Sequence, residues 1–413
     1  MKPFDGRNIR VVITGLGAIT PIGIGKEEFW EAAIHGQSGV AKIRSFDCSL
    51  FKSQRGCEVK NFNYENYSVP NGNIAMGRGS QFGLAAAKMA LDDAGLSTDE
   101  IDAKSIGVSI GTTGGEIQIL ENIVNSLAAD PDRDKLDKGL FPLFPCNVIP
   151  GNIARAFRIR GPHFFFPNAC AAGNYAISYA SDLIRMGKAR IMIAGGVDPF
   201  SRMAFTGFCR LNTVSAGVCR AFDKNRKGLI LGEGAGMIVL ESHEQAIKRK
   251  ARIYAELLGY GVSCDSFHVT SPNPDGSGMI AAMRRALDDA GLTPGDVDYI
   301  SAHGTGTIIN DKVETLAIRT LFKEHAEKLM VSSIKGMIGH TMGAASAIEA
   351  VICTLAAYEN IVPPTIHYET KDPECDLDYV PNAMRKAVVN IAMSNAFAFG
   401  GNNTSLIIGK YEG

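Results

Sequence analysis

Short apolar runs alternate along the chain with longer stretches in which apolar residues recur three and four positions apart. Residues 11–14, 190–194 and 237–240 are runs of the first kind, and residues 175–184 form a stretch of the second kind. Short apolar runs are typical of buried strands, and the three-to-four spacing is typical of amphipathic helices. Their alternation predicts a mixed α/β architecture with buried sheets.

Part of this pattern occurs twice. The sequence Ala-Leu-Asp-Asp-Ala-Gly-Leu stands at residues 90–96 and again at 286–292, and in each copy the glycine ends an amphipathic helix. A polar loop, an apolar strand and a Gly/Thr turn follow each copy, and these turns lie at 111–115 and 304–307. Because the order of elements is shared as well as the residues, the repeat predicts an internal duplication.

A charged helix at 241–252 separates the two copies. We therefore place the halves of the chain at residues 1–250 and 251–413. Residues 116–160 have no recognisable counterpart in the second half, and we interpret them as an insertion that caps a pocket or builds a dimer contact. If the two halves pack face to face, strand ends from both will meet at one site.

The composition is that of an ordinary globular enzyme. Of the 413 residues, 46 % are apolar and 21 % are charged, and the net charge is −1. This charge gives no reason to expect a nucleic acid or an anionic membrane as partner. The N-terminus lacks an apolar signal core, and no run approaches the roughly 18 to 20 apolar residues that span a bilayer. Nine cysteines without a Cys-x-x-Cys pair predict a cytoplasmic protein with reduced thiols and no metal site.

Cys170 stands where the apolar run at 163–166 gives way to the helical pattern at 175–184. At a strand-to-helix turn, unpaired backbone N–H groups and the positive end of the helix dipole lie near the side chain. Both favour thiolate over thiol, and the thiolate is the nucleophile. The position therefore predicts that Cys170 is a catalytic nucleophile.

Two histidines lie in glycine-rich turns far downstream. His303 begins the turn His-Gly-Thr-Gly-Thr, and His340 follows Gly-Met-Ile-Gly. A neutral imidazole in such a turn can donate an N–H to a developing oxyanion. Lys335 precedes His340 by five residues and Glu349 follows it by nine, and a buried pair of these two would orient the ring and bias its protonation state.

Other glycine-rich patterns do not indicate a bound cofactor. Gly15 and Gly17 follow a strand, but Thr20 occupies the third glycine position of a dinucleotide-binding fingerprint. The glycines at 232–236 enter a strand rather than a helix, so that close backbone packing explains them better than a phosphate. A serine-hydrolase elbow, Gly-x-Ser-x-Gly, is missing from the sequence.

Taken together, the motifs resemble those of the elongating β-ketoacyl-[acyl-carrier-protein] synthases of the thiolase-like superfamily. The resemblance runs nearly end to end, and its motifs are highly specific as a set. The matching segments are residues 12–17, the turn around Cys170, 219–223, 232–236, 270–272, 303–307 with 310–311, 335–340 and 399–403. The resemblance implies a duplicated, five-layered αβαβα fold and an obligate dimer, either of identical or of related subunits.

The resemblance also implies a ping-pong Claisen condensation. Cys170 would accept an acyl chain from an acyl carrier protein as a thioester. His303 and His340 would hold the thioester carbonyl of a malonyl group while carbon dioxide leaves, and the enolate would then attack the acyl group on Cys170. The chain would grow by two carbons, and no cofactor is implied, because the substrates are carried on the phosphopantetheine of the carrier protein.

Further site residues follow from the same resemblance. The backbone N–H groups of Cys170 and Phe399 match the oxyanion hole, and Phe399 matches a gate. Thr305 and Thr307 match positions that hydrogen-bond phosphopantetheine. The residues expected to line or flank the acyl pocket are Thr113, Gly114, Met203, Phe205 and Phe208, and for the last three plain core packing is an equal alternative.

Several departures from the family pattern leave the pathway open. Asn168 stands where Thr is usual, Ile308 stands where Pro is usual, and basic residues that dock the carrier are missing around 71–76, which leaves only Arg78 nearby. The alternatives are a specialised type II polyketide or polyene ketosynthase that works with a partner subunit, a non-catalytic subunit resembling a chain-length factor, and a thiolase-like enzyme acting on coenzyme A thioesters. Priming synthases use Cys-His-Asn and thiolases use a second cysteine, and neither set matches His340.

Overall fold

A computed structural model describes residues 9–67, 75–97, 102–130, 132 and 136–413. The expectation about a signal core concerns residues 1–8 in large part, and the expectation about carrier docking concerns residues 71–74 in part. Those stretches lie outside the described residues.

Strands and helices alternate through both halves of the chain. The elements of the first half are β1 (Val11–Thr20), β2 (Gly23–Ile24), α1 (Lys26–Ile34), β3 (Ala41–Lys42), β4 (Arg55–Gly56), α2 (Arg78–Asp93), β5 (Ile106–Gly111), α3 (Ile117–Ala129), α4 (Val148–Ala156), β6 (His163–Phe166), α5 (Ala172–Arg185), β7 (Ile191–Asp198), α6 (Arg202–Arg210), β8 (Gly234–Ser242) and α7 (His243–Lys248). The elements of the second half are β9 (Ala255–Cys264), α8 (Ser277–Ala290), β10 (Tyr299–Ser301), α9 (Ile308–Phe322), β11 (Met330–Ser332), α10 (Lys335–Ile338), α11 (Ala345–Glu359), β12 (Ile361–Val362), β13 (Arg385–Lys386), β14 (Ile391–Ala398) and β15 (Asn402–Lys410).

The strand order repeats between the halves, which confirms the internal duplication. The strands of the first half run β6-β5-β7-β8-β1, and those of the second half run β11-β10-β14-β15-β9. In both series the first two pairings are parallel and the last two are antiparallel. Each central parallel strand is therefore flanked in the same way, and the fold is mixed α/β as the hydrophobic pattern predicts.

Helices cover and separate the two halves of the sheet. α5 packs on β5 and β7, α11 packs on β8, β14 and β15, and these two helices also contact each other. α2 packs on β1 and β8 on one outer face, and α8 packs on β9 and β15 on the other. The sequence of layers is helix, sheet, helix, sheet, helix. The five-layered thiolase-like fold implied by the resemblance is thus present.

Gly15 and Gly17 lie within β1 rather than after a strand, and helix packing explains them and the glycines at the equivalent place in β9. A Cβ atom on Gly17 would lie 2.0 Å from the carbonyl oxygen of Ala86 in α2. At the equivalent place in the second half, a Cβ atom on Gly261 would lie 2.0 Å from the carbonyl oxygen of Ala282 in α8. Since such contacts are forbidden to any larger residue, the Gly-x-Gly pattern allows a helix to approach the sheet closely.

The segment interpreted as an insertion contains one element with a counterpart. Within residues 116–160, α4 packs on α2 as α9 packs on α8 in the second half. Both helices also connect a central parallel strand to its edge neighbour, β5 to β6 and β10 to β11. α3 contacts α6 instead, so that α3 has no equivalent among the described elements of the second half.

The central layer contains a long apolar helix, α11, which follows His340 in the chain. Within the described ranges one helical stretch, Met342–Glu359, is long and apolar enough to cross a membrane. It consists of α11 and the turn before it, and 89 % of it is buried inside the protein. Because it packs between the two halves of the sheet, this stretch is a core helix.

Candidate active site

A cavity of about 520 Å³ receives side chains from both halves of the chain. Cys170 lines it from the first half, and His303 and His340 line it from the second. The two imidazole rings lie 5.4 Å apart between centroids and are nearly perpendicular, at 83°. The structure thus brings together the three reactive residues that the sequence places far apart.

Cys170 lies in a short 3₁₀ turn, Ala169–Ala171, between β6 and α5. Ala169 adopts a φ of 47°, a left-handed conformation that costs a residue with a Cβ atom about 1 to 2 kcal/mol. Contacts with α11 hold the start of α5 in place, since the backbone N–H of Asn174 donates to the Ser346 hydroxyl at 3.0 Å. The strained turn therefore fixes the sulfur at the N-terminus of the central helix.

Burial affects the resting protonation state of Cys170. The side chain is 4 % exposed, and burial raises the pKa of its thiol to about 12. The charge of Lys335 opposes this rise, while Asp198 and Glu349 reinforce it. Desolvation is the largest cause, because a buried thiolate has little access to water. Burial thus opposes the thiolate that the turn favours, and the proton has to leave as the sulfur reacts.

His340 is held as a neutral hydrogen-bond donor. Gly339 before it and Met342 after it both have left-handed backbones, with φ of 70° and 54°, and the backbone N–H of Met342 donates to its Nδ1 at 3.3 Å. Since Nδ1 accepts, the ring proton is on Nε2. Burial first, and then the charge of Lys335, lower the pKa of His340 well below 6.5.

His303 lies directly after β10, in a turn that a buried carboxylate organises. The backbone N–H groups of His303 and Gly304 both donate to Glu314 at 2.8 Å. Burial lowers the pKa of His303 well below 6.5, and Lys335 and His340 add to the effect. Its Nδ1 is buried without a hydrogen-bond partner among the described residues. The site therefore contains two neutral imidazoles.

Lys335 and Glu349 form the ion pair that the sequence analysis anticipates. Both side chains are fully buried, and the Lys335 ammonium donates to a carboxylate oxygen of Glu349. Neither residue lines the cavity. Burial raises the pKa of Glu349 to about 7, against the opposing charge of Lys335. The pair therefore lies behind the reactive residues, and its ammonium reaches Cys170 and both imidazoles through its charge alone.

Two buried carboxylates were missed by the sequence analysis. Glu314 organises the His303 turn, and burial raises its pKa to about 7. Asp198, at the end of β7, accepts from the backbone N–H groups of Thr113 at 2.7 Å, Gly114 at 3.0 Å and Gly343 at 2.6 Å. It thereby ties the turn after β5 to the loop that follows His340. A single acidic residue ending an apolar strand, or standing in the apolar face of a helix, was the available signal.

Hydroxyls and aromatic rings line the rest of the cavity. Thr305 and Thr307 both face it, and their hydroxyl oxygens lie 2.9 Å apart. Phe399 begins the 3₁₀ turn Phe399–Gly401 and stacks on Phe208, with ring centroids 5.6 Å apart. All four residues line the cavity that contains Cys170, and the roles implied by the resemblance stay predictions.

The other four residues expected at the acyl pocket do not line this cavity. Thr113 and Gly114 belong to the turn bound by Asp198. Phe205 is fully buried among other phenylalanines, as the core-packing alternative expects. Met203 on α6 is 43 % exposed. Aromatic residues three positions apart on one helix thus serve different purposes, because Phe208 faces the cavity and Phe205 faces the core.

Arg78 is engaged within the protein rather than free for a partner. Its guanidinium pairs with Glu233 at 2.7 Å and lies over the ring of Phe82, 4.4 Å from the centroid. Because both contacts are intramolecular, Arg78 does not replace the missing basic docking residues. Within the described ranges, no group of three His, Cys, Asp or Glu side chains is placed to hold a metal ion.

Comparison with known proteins identifies the family. Residues 8–246 match the beta-ketoacyl synthase N-terminal domain, and residues 254–369 match the beta-ketoacyl synthase C-terminal domain. The chain is 40 % identical to 3-oxoacyl-[acyl-carrier-protein] synthase 2 of Synechocystis sp. (strain ATCC 27184 / PCC 6803 / Kazusa) over 410 residues, 98 % of each chain. It is also 40 % identical to the protein of the same name from Staphylococcus aureus (strain MRSA252), over 98 % of this chain and 99 % of that one.

Solved structures agree with these relatives. A chain of the ishigamide ketosynthase/chain length factor superimposes with a TM-score of 0.93 at 42 % identity, covering 98 % of this chain and 99 % of that one. A chain of AntDE:AntF, a type II polyketide synthase acyl-carrier protein in complex with its ketosynthase, gives 0.90 at 32 % identity, covering 98 % and 100 %. This chain belongs to the beta-ketoacyl synthase family.

Proposed function

We propose that this protein is an elongating β-ketoacyl-[acyl-carrier-protein] synthase. An acyl chain bound to Cys170 as a thioester is extended by two carbons from malonyl-[acyl-carrier-protein]. The observation that carries the proposal is the meeting of one thiol with two neutral imidazoles in a single cavity between the halves. Relatives that are 40 % identical over nearly the whole chain bear the name of this activity, which supports the proposal.

The first step transfers the acyl group to Cys170. The sulfur attacks the thioester carbonyl, a new S–C bond forms, and the carrier's thiol leaves when the tetrahedral intermediate collapses. Because burial raises the pKa of the Cys170 thiol, its proton passes to a neighbouring imidazole during the attack and from there to the departing sulfur. The backbone N–H groups of Cys170 and Phe399 stabilise the oxyanion.

The second step makes a carbon nucleophile from the malonyl group. The bond between its Cα and the free carboxylate breaks, carbon dioxide leaves, and the electron pair enters the enolate of the thioester. His303 and His340 donate N–H groups to the enolate oxygen, which stabilises the charge where it develops. Their lowered pKa values keep both rings neutral.

The third step joins the two chains. The enolate carbon attacks the acyl carbonyl on Cys170, a C–C bond forms, the C–S bond breaks, and the sulfur regains a proton from solvent. The product is a 3-oxoacyl thioester on the carrier. Thr305 and Thr307 hydrogen-bond the amides of the phosphopantetheine arm, and Phe399, stacked on Phe208, gates the acyl end of the cavity.

The test is condensation with purified carriers. The wild-type protein, given acyl- and malonyl-carrier, is expected to form the 3-oxoacyl product and to show an acyl adduct on Cys170 by intact mass. Cys170→Ala should form neither, whereas Cys146→Ala, which removes a half-buried thiol outside the cavity, should keep both. Absence of product and adduct in the wild type would count against the proposal and favour a non-catalytic subunit. Faster acylation from coenzyme A thioesters than from carriers would favour the thiolase-like alternative.

A specialised type II polyketide or polyene ketosynthase is the second candidate. The observation that favours it is the 42 % identity to a chain of the ishigamide ketosynthase/chain length factor. The reaction at Cys170 would be the same, and only the acyl chain would differ. Mass spectrometry of the acyl group trapped on Cys170 in cells distinguishes them, since a saturated chain indicates fatty acid synthesis and a polyene or polyoxo chain indicates a polyketide pathway.

We further propose that β6 pairs with a second ketosynthase-type subunit, which is either a copy of this chain or a related protein. β6 ends the strand order of the sheet, and Phe164 and Phe165 on it are 37 % and 39 % exposed. An exposed edge strand with aromatic side chains is a site for pairing with another chain. Native mass spectrometry of the protein, alone and co-expressed with a related subunit from the same genome, decides between the two assemblies.

A cytoplasmic location is also part of the proposal. All nine cysteines are free, and six of them are buried, which suits a compartment that keeps thiols reduced. Fractionation of cells that express the protein with a tag tests this location. Recovery with the membrane or secreted fraction would contradict it.

A further inference from the structure

Lys227 lines the mouth of the catalytic cavity and takes no part in the reaction described above. Its side chain is exposed. None of the hydrogen bonds or ion pairs formed among the described residues engages its ammonium group. A cation that lines a substrate cavity without an internal partner is available to a ligand.

The backbone around Lys227 is bound to the turn that carries Thr305 and Thr307. Arg226 points inward and donates to the carbonyl oxygens of Thr307 at 3.3 Å and Ile308 at 3.1 Å. The backbone N–H of Gly228 donates to the carbonyl oxygen of Gly306 at 2.9 Å. These bonds hold residues 226–228 against the turn that carries Thr305 and Thr307. Because Arg226 is directed inward, Lys227 between these anchors is directed outward to the mouth.

The carboxylate that lines the cavity makes no ion pair with Lys227. Asp265, the carboxylate that lines the cavity, already accepts from the backbone N–H of Asn273 at 3.1 Å and from the Asn403 amide at 2.7 Å. Exposed apolar side chains make up much of the remaining rim, namely Leu211, Ile308 and Ile309. A single ammonium on a largely neutral rim favours one anionic group on the ligand that enters.

We propose that Lys227 binds the phosphate of the phosphopantetheine arm when a thioester enters the cavity. The inference rests on the proposed function. An arm whose thioester reaches Cys170 and whose amides bind Thr305 and Thr307 extends its phosphate end toward the mouth, where Lys227 stands. Lys227 is thus a specificity residue for phosphorylated carriers of the acyl group, and it acts on binding rather than on the chemical step.

The experiment compares three acyl donors on the full-length protein. These are acyl-pantetheine, which has no phosphate, acyl-4′-phosphopantetheine, and acyl-carrier protein. The readout is the concentration dependence of Cys170 acylation, followed by intact mass. Lys227→Met should raise the half-saturating concentration about tenfold for the two phosphorylated donors. Lys227→Met should leave the half-saturating concentration of acyl-pantetheine and the maximal rate of acylation unchanged. Lys227→Arg, which keeps the positive charge, should bind the phosphorylated donors more tightly than Lys227→Met.

Lys224→Met is the matched control, because Lys224 is an exposed lysine three residues earlier that does not line the cavity. Lys224→Met should leave the half-saturating concentration of all three donors unchanged. An equal loss with acyl-pantetheine, or no loss with any donor, would overturn the proposal. A loss confined to the carrier protein would also overturn it and would assign Lys227 to an acidic side chain of the carrier. A wild-type protein that accepts no donor would instead refute the proposed function.

Discussion

The two halves of the chain share a backbone plan and present different side chains from it. In each half a buried carboxylate binds the backbone N–H groups of the turn after a central parallel strand. Asp198 binds residues 113–114 after β5, and Glu314 binds residues 303–304 after β10. The first turn directs no reactive side chain into the cavity, whereas the second directs His303 into it. The duplication therefore provides equivalent backbone turns in the two halves, and the chemistry depends on the different side chains that these turns carry.

The links that lead into the two central helices differ in length. Residues 167–171 join β6 to α5, and residues 333–344 join β11 to α11. The short link places Cys170 directly at the start of α5. The longer link contains α10 and therefore has room for both Lys335 and His340. One half thus contributes the thiol, and the other contributes two imidazoles and the buried cation that influences them.

The largest expected effect is that variants in the two halves impair different steps of the reaction. Cys170→Ala should abolish acylation but keep decarboxylation of malonyl-carrier, because both imidazoles remain. His340→Ala should slow decarboxylation about 10² to 10³-fold, as the loss of one oxyanion donor does. Its acylation should fall by less than about tenfold, because His303 remains to accept the thiol proton. Intact mass of the acyl-enzyme and release of labelled carbon dioxide measure the two steps.

Each variant controls for the other in this comparison. Both must show the wild-type melting temperature, which excludes unfolding as the cause. Equal loss of both steps in the two variants would contradict the division of labour between the halves.

Equivalent glycines should show that the halves pack alike. Gly17→Ala and Gly261→Ala both place a Cβ atom 2.0 Å from a helix carbonyl oxygen, so that α2 or α8 has to move away from the sheet. Each should lower the free energy of unfolding by about 3 kcal/mol, at the upper end of typical overpacking costs. Chemical denaturation measures the change.

Gly207→Ala is the matched control. Gly207 lies in α6, and a Cβ atom there meets no atom within 4 Å. Alanine should therefore raise the stability by about 0.5 to 1 kcal/mol through its helix propensity. A loss at Gly17 without a loss at Gly261, or the reverse, would show that the two helices do not constrain the sheet equally.

Much of this plan is readable from the sequence, for physical reasons. The repeat at 90–96 and 286–292 revealed the duplication because it falls at the same structural place in both halves, the C-terminal ends of α2 and α8. Cys170, His303 and His340 were recognisable as a set, because each stands in a turn after an apolar run and the two histidines have glycine neighbours. The resemblance then supplied the family, and the comparisons confirm it.

The remaining features depend on packing between distant segments. Asp198 and Glu314 stand in apolar segments of the sequence, but only the tertiary contacts direct the backbone N–H groups of distant turns at them. The protonation state of Cys170 could not be read from its place at a helix N-terminus, because the burial that opposes ionisation comes from the other half. Phe205 and Phe208 share α6, and the packing of this helix decides that Phe205 faces the core and Phe208 faces the cavity.

The smallest expected effect concerns Glu314 and the dependence of the free energy of unfolding on pH. Burial raises the pKa of Glu314 from 4.5 to about 7, and Asp311 adds to the rise while Lys335 opposes it. Between about pH 4.5 and 7 the folded protein therefore binds more protons at this site than the unfolded chain, so that this contribution to stability falls as the pH rises. Glu314→Gln removes the titration, and the stability difference between wild type and variant should shrink by about 2 kcal/mol between pH 5 and pH 7.

Chemical denaturation at pH 5, 6 and 7 measures this difference for Glu314→Gln. The exposed Glu324→Gln variant is the control, and its difference from the wild type should stay nearly constant. At pH 5 the wild type should exceed Glu314→Gln most clearly, since the neutral carboxyl is then present in the folded state without the cost of a buried charge. A difference for Glu314→Gln that stays constant across the window, or grows with pH, would mean that the backbone N–H groups of the His303 turn keep this carboxylate ionised. Glu314 would then bind the His303 turn as an ionised carboxylate in spite of its burial.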